Sequence, residues 1–191
     1  MAKQVWKPAT LLSPLPAALV TCGTVEEPNV LTIAWTGIIN TQPPKTYISV
    51  RPSRHSYELI KSSGKFVINL AYSKNAAIVD YCGVRSGKDT NKFADTGLEI
   101  CSGLELTDTP VLVDSPLSLE CVVTDVISLG THDMFIADIV AVNIDERYID
   151  EKGKFHPEKC AFAAYAHGQY FALGKKIGSF GYSVKKKNKR K

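Results

Sequence analysis

Residues 46–71 read TYISVRPSRHSYELIKSSGKFVINLA, and this stretch decides how the chain folds. It predicts a strand over 46–51 that Pro52 ends, a helix over 56–62, and a second strand over 66–71. The helix opens on Ser56, which is a residue type that caps helices, and Glu58 in its first turn suits the helix dipole. The second strand is short and apolar enough to be buried on both faces.

Short β-rich runs closed by glycine, proline or asparagine recur on either side of this stretch. The sequence predicts further strands over 15–24, 29–35, 117–127 and 134–144. The run 117–127 alternates in part, with Leu117, Leu119, Cys121 and Val123 on one face and Ser118 and Glu120 on the other. A turn at 130–133 joins it to 134–144 as an antiparallel hairpin.

Helices are few in this sequence. Besides 56–62, it predicts helices over 74–81 and 89–94, the latter capped by Asp89, and a helical or irregular stretch over 161–174. Strand and helix do not alternate regularly and there is no glycine fingerprint, which excludes a Rossmann fold. We therefore expect a mainly β protein, a β-barrel with added helices.

The composition is that of one globular domain. The chain has 191 residues, of which 45% are hydrophobic and 22% charged. No run approaches the roughly 18 apolar residues of a membrane-spanning helix, and the N-terminus lacks the apolar stretch of a signal peptide. We expect a cytoplasmic protein that makes no membrane contact, with a single domain over 1–184.

The net charge of +4 comes from the last seven residues. Residues 185–191 read KKKNKRK, and without their six positive charges the 23 basic residues fall to 17, against 19 acidic residues. Such a run is either a tether to an anionic surface or nucleic acid, or a solvated disordered end. Because no aromatic residues interleave with the lysines, we favour a disordered basic tail over one that binds nucleic acid.

Several chemistries lack the residues that they need. The five cysteines include no C-x-x-C pair, and the four histidines include no pair at metal-ligand spacing, so we expect no metal site. The chain contains no G-x-x-x-x-G-K-[ST], no G-x-S-x-G and no H-E-x-x-H motif. Most cysteines sit among apolar neighbours, which predicts buried thiols in a reducing compartment.

Arginines and hydroxyls are concentrated where the strand 46–51 gives way to the helix. The residues are Arg51, Ser53, Arg54, His55 and Ser56. Free amides at a helix start favour an anion, and the guanidinium fork suits phosphate oxygens. From the residues alone, two interpretations stay open: a phosphate seat, or an ordinary capped helix with solvent-exposed arginines.

The strand 29–35 is the second candidate. Polar residues (Asn29, Thr32 and Thr36) recur among its apolar ones, and Trp35 ends the run. Such a strand could hydrogen-bond a planar heterocycle along its backbone and place an indole beside it. The alternative is a core tryptophan with edge-facing threonines.

The order of these pieces resembles a known family. The resemblance rests on Asn29, Thr32 and Trp35-Thr36, then Pro43-Pro44, then Arg51-Pro52-Ser53-Arg54-His55-Ser56, then Phe66-Val67-Ile68-Asn69-Leu70. In this order they resemble the flavin reductase-like domain family, the FMN-binding split barrel, and especially its flavoredoxin-like branch. The resemblance runs from about residue 14 to about residue 182. It implies a Greek-key antiparallel split barrel and a homodimer with FMN near the subunit interface.

The resemblance also implies a set of site residues. Two residues would lie beside the flavin, Asn29 and Trp35, and three would contact its ring or ribityl chain, Thr32, Ala34 and Thr36. The phosphate cradle would be formed by Arg51, Ser53, Arg54, His55 and Ser56. Three further residues would lie close to the FMN: Lys92, His132 and Tyr165. For the last three, alternatives without a ligand contact stay open. Lys92 would then be a surface lysine, His132 an exposed turn residue, and Tyr165 a core residue with Phe162.

The function implied is that of a redox flavoprotein. It would take electrons from NAD(P)H or a protein donor through FMN and pass them to flavin, a metal or a protein acceptor. No catalytic side chain is expected, although Lys92 or His132 could tune the flavin electrostatically. Two alternatives stay open: a non-catalytic flavoredoxin electron carrier, and a basic-tailed module that binds nucleic acid.

Overall fold

The computed structural model describes residues 1–184, so the predicted basic tail at 185–191 lies outside the described residues. The strands are β1 (Leu15–Pro16), β2 (Ala18–Gly23), β3 (Pro28–Ile33), β4 (Thr36–Thr41), β5 (Pro44–Val50), β6 (Lys65–Leu70), β7 (Ile100–Ser102), β8 (Pro110–Leu112), β9 (Leu117–Ser128), β10 (Asp133–Ile144), β11 (Ala163–Ala166) and β12 (Gln169–Ala172). The α-helices are α1 (His55–Ser63), α2 (Ala76–Val84) and α3 (Lys92–Thr96), and short 3-10 turns cover Ser73–Asn75, Glu146–Tyr148, Pro157–Lys159 and Tyr182–Val184.

Seven of the strands form one antiparallel sheet in the order β3-β2-β6-β9-β10-β5-β4. β3 and β4 follow each other in the chain, yet they lie at opposite edges of this sheet. Because only residues 34 and 35 connect β3 to β4, the sheet has to curl so that these two strands approach each other. The Ser49 amide of β5 donates to the Trp35 carbonyl at 2.9 Å and extends the β4–β5 pairing into this connection. The expected mainly β, barrel-like fold with added helices is confirmed.

The inside of the curled sheet is an apolar core closed at one end by α1. Its fully buried side chains include Val20, Ile48, Ile60, Phe66 and Phe135. The Tyr57 ring of α1 lies edge-on to Phe135, with 5.4 Å between ring centroids, and its hydroxyl donates to Asp133 at 2.5 Å. A second cluster fills the space between the outer face of the sheet and α2. Because β6 lies between the two clusters, both of its faces are buried, as predicted.

The prediction for the C-terminal region is wrong. Residues 161–174, expected to be helical or irregular, form the hairpin β11–β12, which pairs with β1 through Leu15 and Tyr165. The run AAYA in β11 has no local preference for a strand, so pairing with a distant segment decides its conformation. β4 was also not predicted, and α3 is capped by the Asn91 side chain, which accepts from the Ala94 amide, rather than by Asp89.

On β9, the face that carries Ser118 and Glu120 is buried at these two residues. The Glu120 carboxylate is fully buried and accepts from the amides of Leu104, Glu105 and Leu106 and from the Asn143 side chain. Burial alone would raise the pKa of this group, but the four hydrogen bonds outweigh it and hold the pKa below its usual value. The carboxylate thus fixes the loop at 104–106 onto the sheet.

The structure also bears on the expectations about cysteines, membrane-spanning helices and metal ligands. Four cysteines are buried and unpaired (Cys22, Cys82, Cys121 and Cys160), and Cys101 is exposed. In residues 1–184, no helix has the length and apolar character to cross a bilayer, and no group of three histidine, cysteine or acidic side chains is arranged to hold a metal ion.

Candidate functional site

Two adjoining cavities lie where β5 runs into α1. We call the smaller one, of about 120 Å³, the strand cavity; it is lined by residues 31–35, residues 49–51, Arg54 and His132. The larger one, of about 360 Å³, is the arginine cavity; it is lined by Leu31, Arg51, Ser53, Arg54, His55, Ser56, Arg85, Ser86, Gly87 and Lys92. The two share Leu31, Arg51 and Arg54, so they form one continuous groove.

The turn between β5 and α1 is built from the backbone. The Arg54 amide donates to the Arg51 carbonyl at 3.0 Å, and Arg54 is extended, with φ −74° and ψ 138°, so that α1 begins at His55. The first amides of the helix lack intrahelical acceptors, and they give this end a positive potential. The arginine cavity therefore opens at the positive end of α1.

The expectation that a serine caps α1 is wrong. Arg54 occupies the cap position, and no side chain caps the helix there. Ser56 is the second helical residue, and its hydroxyl instead accepts from the Asn29 side chain at 2.6 Å. The predicted acidic residue in the first turn, Glu58, is present.

The loop after α2 supplies residues to this site that the sequence did not single out. Arg85, Ser86 and Gly87 line the arginine cavity opposite α1. Arg54 links the two sides, because its Nη1 donates to the Gly83 carbonyl near the end of α2 at 3.0 Å. The available signal was the run VRSGK at 84–88, which joins basic, hydroxyl and glycine residues directly after a predicted helix.

Lys92 is not a surface lysine. It is 4% exposed, and its Nζ donates to the carbonyls of Val30 at 2.7 Å and Cys82 at 2.8 Å. Burial lowers the pKa of its ammonium, and the nearby Arg54 lowers it further, whereas the thiols of Cys82 and Cys22 act in the opposite direction. The side chain is thus held at the floor of the arginine cavity.

His132 lies in the turn between β9 and β10, as predicted, and it faces the strand cavity. Its Nδ1 is 3.0 Å from the Thr131 hydroxyl. Burial lowers the pKa of the imidazole, and the positive charges of Arg51 and Arg54 lower it further. The ring is therefore neutral at neutral pH when the groove holds no anion.

The predicted residues of the 29–36 strand divide into two groups. Ala34 and Trp35 line the strand cavity, and the Tyr165 ring lies edge-on to Trp35 with 6.3 Å between centroids. The hydroxyls of Thr32 and Thr36 instead donate to backbone carbonyls, those of Val79 and Tyr47 respectively. Thr32 also lines the strand cavity.

Asn29 and Tyr165 line neither of the two cavities. Asn29 lies behind Ser56, and Tyr165 lies on β11 between Trp35 and Tyr170. Arg51, Ser53, Arg54, His55, Ser56 and Lys92 do come together around the arginine cavity.

The charge of the groove is one-sided. Arg51, Arg54, Arg85 and Lys92 surround it, and none of the described residues lining either cavity is acidic. A larger cavity of about 610 Å³ adjoins it through His55, Gly87 and Lys92; Asn29 lines this larger cavity, which also contains the acidic Glu27 and Asp89. Oxyanions therefore favour the arginine cavity over its larger neighbour.

Comparison with known proteins agrees with this geometry. Residues 11–174 match the model of the flavin reductase like domain. The chain belongs to this family. The resemblance seen in the sequence is thereby confirmed.

Two solved structures and one characterised relative are similar to this family member. The flavoredoxin of Desulfovibrio vulgaris (Miyazaki F) is 28% identical with a TM-score of 0.88, over 96% of this chain and 100% of that chain. The flavoredoxin of Methanosarcina acetivorans is 26% identical with a TM-score of 0.84, over 96% and 100%. The FMN reductase (NADH) RutF of Pseudomonas syringae is 25% identical over 54% of this chain and 56% of its own length.

The proximity of His132 to two arginines generates a prediction. Replacing Arg54 with Ala removes one of the charges that disfavour the imidazolium, so the pKa of His132 should rise. Adding inorganic phosphate to the wild type should raise it as well. NMR titration of the histidine ring protons measures this, with His156 as the internal control because its partners are Asp150 and Glu158. An unchanged His132 titration would show that Arg54 does not act on this ring.

Proposed function

We propose that this protein is a redox flavoprotein that binds FMN in the groove between β3, β5 and α1. The observation that carries the proposal is the arginine cavity. Its four cations, with no acidic residue among the described lining residues, meet at the positive end of α1 and adjoin a cavity that carries an indole. This combination suits a ligand that has a phosphate at one end and a planar aromatic ring at the other.

The residues fit the two ends of FMN. The phosphate would be held by Arg51, Ser53, Arg54, His55 and Ser56, together with Arg85, Ser86 and Lys92. The ring system would lie along the backbone of residues 32–36, with Ala34, Trp35 and His132 beside it and Tyr165 supporting the indole. The side chains of Thr32 and Thr36 fix the strand rather than the ligand, since both donate to protein carbonyls.

Bound FMN would supply the redox chemistry, and the protein would supply binding, orientation and electrostatics. The arginines would neutralise the phosphate and hold that end of the ligand in place. Lys92 would contribute a positive charge that two carbonyls prevent from moving away. A ligand dianion would offset the arginine charges that lower the pKa of His132 and would thereby favour its protonated, positive form.

The groove carries more positive charge than the FMN phosphate would neutralise, and this excess favours an anionic electron donor. The phosphate of FMN carries about two negative charges, whereas the groove carries four cationic side chains. We infer that NAD(P)H, which is itself anionic, is the donor, and that the protein acts as a flavin reductase that passes electrons to free flavin, a metal or a protein. The similarity to an FMN reductase (NADH) supports this.

The second candidate function is that of an electron carrier without catalysis of its own. The similarity to two flavoredoxins over 96% of the chain favours it. Both candidates use the same groove and differ only in the electron donor. We do not propose a nucleic-acid module, because the groove is a compact cationic seat rather than an extended basic surface.

The Arg54→Ala variant tests the phosphate seat. Loss of one charge-assisted hydrogen bond should weaken FMN binding by roughly 1.5–3 kcal/mol, or about 10- to 150-fold, and should leave riboflavin, which has no phosphate, nearly unaffected. Fluorescence titration of both ligands measures the effect. The wild-type protein should purify yellow and release FMN on denaturation.

The matched control for this variant is Arg147→Ala. Arg147 is an exposed arginine that pairs with Asp145 and lines neither cavity of the groove. It removes the same charge from the protein, so FMN affinity should be unchanged. Equal losses of FMN and riboflavin in Arg54→Ala would place the phosphate elsewhere, and a wild type that binds neither ligand would refute the proposed function.

NADH and NADPH consumption by the purified protein distinguishes the two candidates. A flavin reductase should oxidise at least one of them in multiple turnovers when free FMN is added, whereas a carrier should not. Arg54→Ala should lower this rate in proportion to its loss of FMN and recover at saturating FMN. Complete absence of turnover in a fully FMN-loaded wild type would leave the carrier as the function.

We also infer that the protein is a homodimer with FMN near the interface. β4 is an edge strand with the exposed side chains Ile38 and Ile39, and such an edge is a natural packing surface. Light scattering should give twice the 20.9 kDa chain mass. The double variant Ile38→Lys, Ile39→Lys should shift the protein towards monomer and lower its FMN content, and a monomeric wild type would contradict the inference.

The proposed compartment is the cytoplasm. The four buried, unpaired cysteines in the described chain support it, since free thiols persist in a reducing environment.

A further inference from the structure

Asn29 contacts the phosphate seat from behind. It lies on β3, is 7% exposed, and its Nδ2 donates to the Ser56 Oγ at 2.6 Å. Ser56 is 2% exposed and lines the arginine cavity. The carboxamide is thus placed to act on the hydroxyl rather than on a ligand in the groove.

This hydrogen bond determines what the Ser56 hydroxyl can do. A serine hydroxyl has one hydrogen to donate and rotates freely to reach a partner. When its oxygen accepts from Asn29, its own hydrogen has to point away from the carboxamide. One neighbouring acceptor is the Cys22 thiol, to which Asn29 Nδ2 also donates, at 3.7 Å. Burial raises the pKa of this thiol to about 11, so it is neutral and a weak acceptor. An anion in the arginine cavity would accept the hydrogen of the Ser56 hydroxyl in preference to the neutral thiol.

Gly87 leaves room for the Asn29 carboxamide in this orientation. A Cβ at position 87 would lie 2.1 Å from Asn29 Oδ1 and 2.9 Å from the His55 ring. The backbone of the loop after α2 therefore lies directly against the carboxamide oxygen and leaves the Nδ2 side facing Ser56. Only glycine permits this close approach.

We propose that Asn29 is a positioning residue that makes Ser56 a dedicated hydrogen-bond donor to the phosphate of the ligand. Asn29 would then determine selectivity for a phosphorylated flavin without contacting the flavin itself. This differs from the role beside the flavin that the family resemblance implies for Asn29. The inference rests on the proposed FMN site and deepens it.

A double-mutant cycle tests the proposal. The readout is the ratio of the riboflavin Kd to the FMN Kd, measured by fluorescence titration of the full chain. Ser56→Ala should lower this ratio by about 10-fold or more, the effect of losing a hydrogen bond to a charged group. Asn29→Ala should lower it by roughly 3- to 10-fold. The double variant should match Ser56→Ala alone, because Asn29 acts only through that hydroxyl.

Ser53 provides the matched control cycle. Ser53 also lines the arginine cavity, but it is exposed, and the hydrogen bonds of the Asn29 side chain go to Ser56 and Cys22 instead. The effects of Asn29→Ala and Ser53→Ala on the ratio should therefore multiply independently. A purely structural role of Asn29 would weaken riboflavin and FMN alike and would leave the ratio unchanged in every background.

A second variant approaches the same contact from the opposite side. Gly87→Ala keeps both the Asn29 and the Ser56 side chains in the chain, but its Cβ would collide with Asn29 Oδ1, so the carboxamide has to leave its present orientation. Gly87→Ala should lower the ratio of the riboflavin Kd to the FMN Kd. The decrease should be larger in the wild-type protein than in the Ser56→Ala variant, which has already lost the hydroxyl. This keeps the test decisive even where Asn29→Ala reduces the yield of folded protein.

The outcomes separate this inference from the proposed function. A wild type that binds FMN no better than riboflavin refutes the phosphate seat, and the inference with it. A wild type that prefers FMN, with Asn29→Ala retaining the full ratio or acting additively with Ser56→Ala, overturns only the role of Asn29.

Discussion

The site depends on the two-residue connection between β3 and β4, which lie at opposite edges of the seven-stranded sheet. Trp35 in this connection is held to β5, because its carbonyl accepts from the Ser49 amide. The connection brings the end of β3 next to the end of β5 and the start of α1, although β3 and β5 lie far apart in the sheet order. The strand cavity is the space beside this connection, and the arginine cavity continues it along α1.

The groove concentrates positive charge, and the surrounding fold keeps that charge in place. Arg54 is tied to the end of α2 through the Gly83 carbonyl, and Lys92 is tied to the carbonyls of Val30 and Cys82. Burial lowers the pKa of both Lys92 and His132, and the positive charge of Arg54 lowers both further. An anionic ligand would relieve this repulsion, so its binding free energy would add to the stability of the folded state. The positive charge of the region is thus held in place by the protein itself.

Several polar side chains at or near the groove hydrogen-bond to the protein itself. Thr36 and Thr32 fix β3 and β4 through backbone carbonyls, and Asn29 orients Ser56 from behind. Elsewhere Glu120 holds a loop onto the sheet through three amides. These buried side chains replace hydrogen bonds that irregular backbone cannot make by itself. Their polarity in the sequence is therefore not evidence of ligand contact.

Local patterns in the sequence determined the strands β2, β3, β5, β6, β9 and β10, the helix after β5 and the cluster of residues 51–56, because alternation, proline and helix-start chemistry act over short distances. Order along the chain was enough to identify the family. Only the tertiary structure decided that Arg85 and Ser86 join the site, that Lys92 is buried, and that Asn29 lies behind Ser56. It also turned residues 163–166 into a strand through pairing with β1. Each of these depends on contacts between segments distant in the chain, and no local propensity encodes which distant partner a residue will meet.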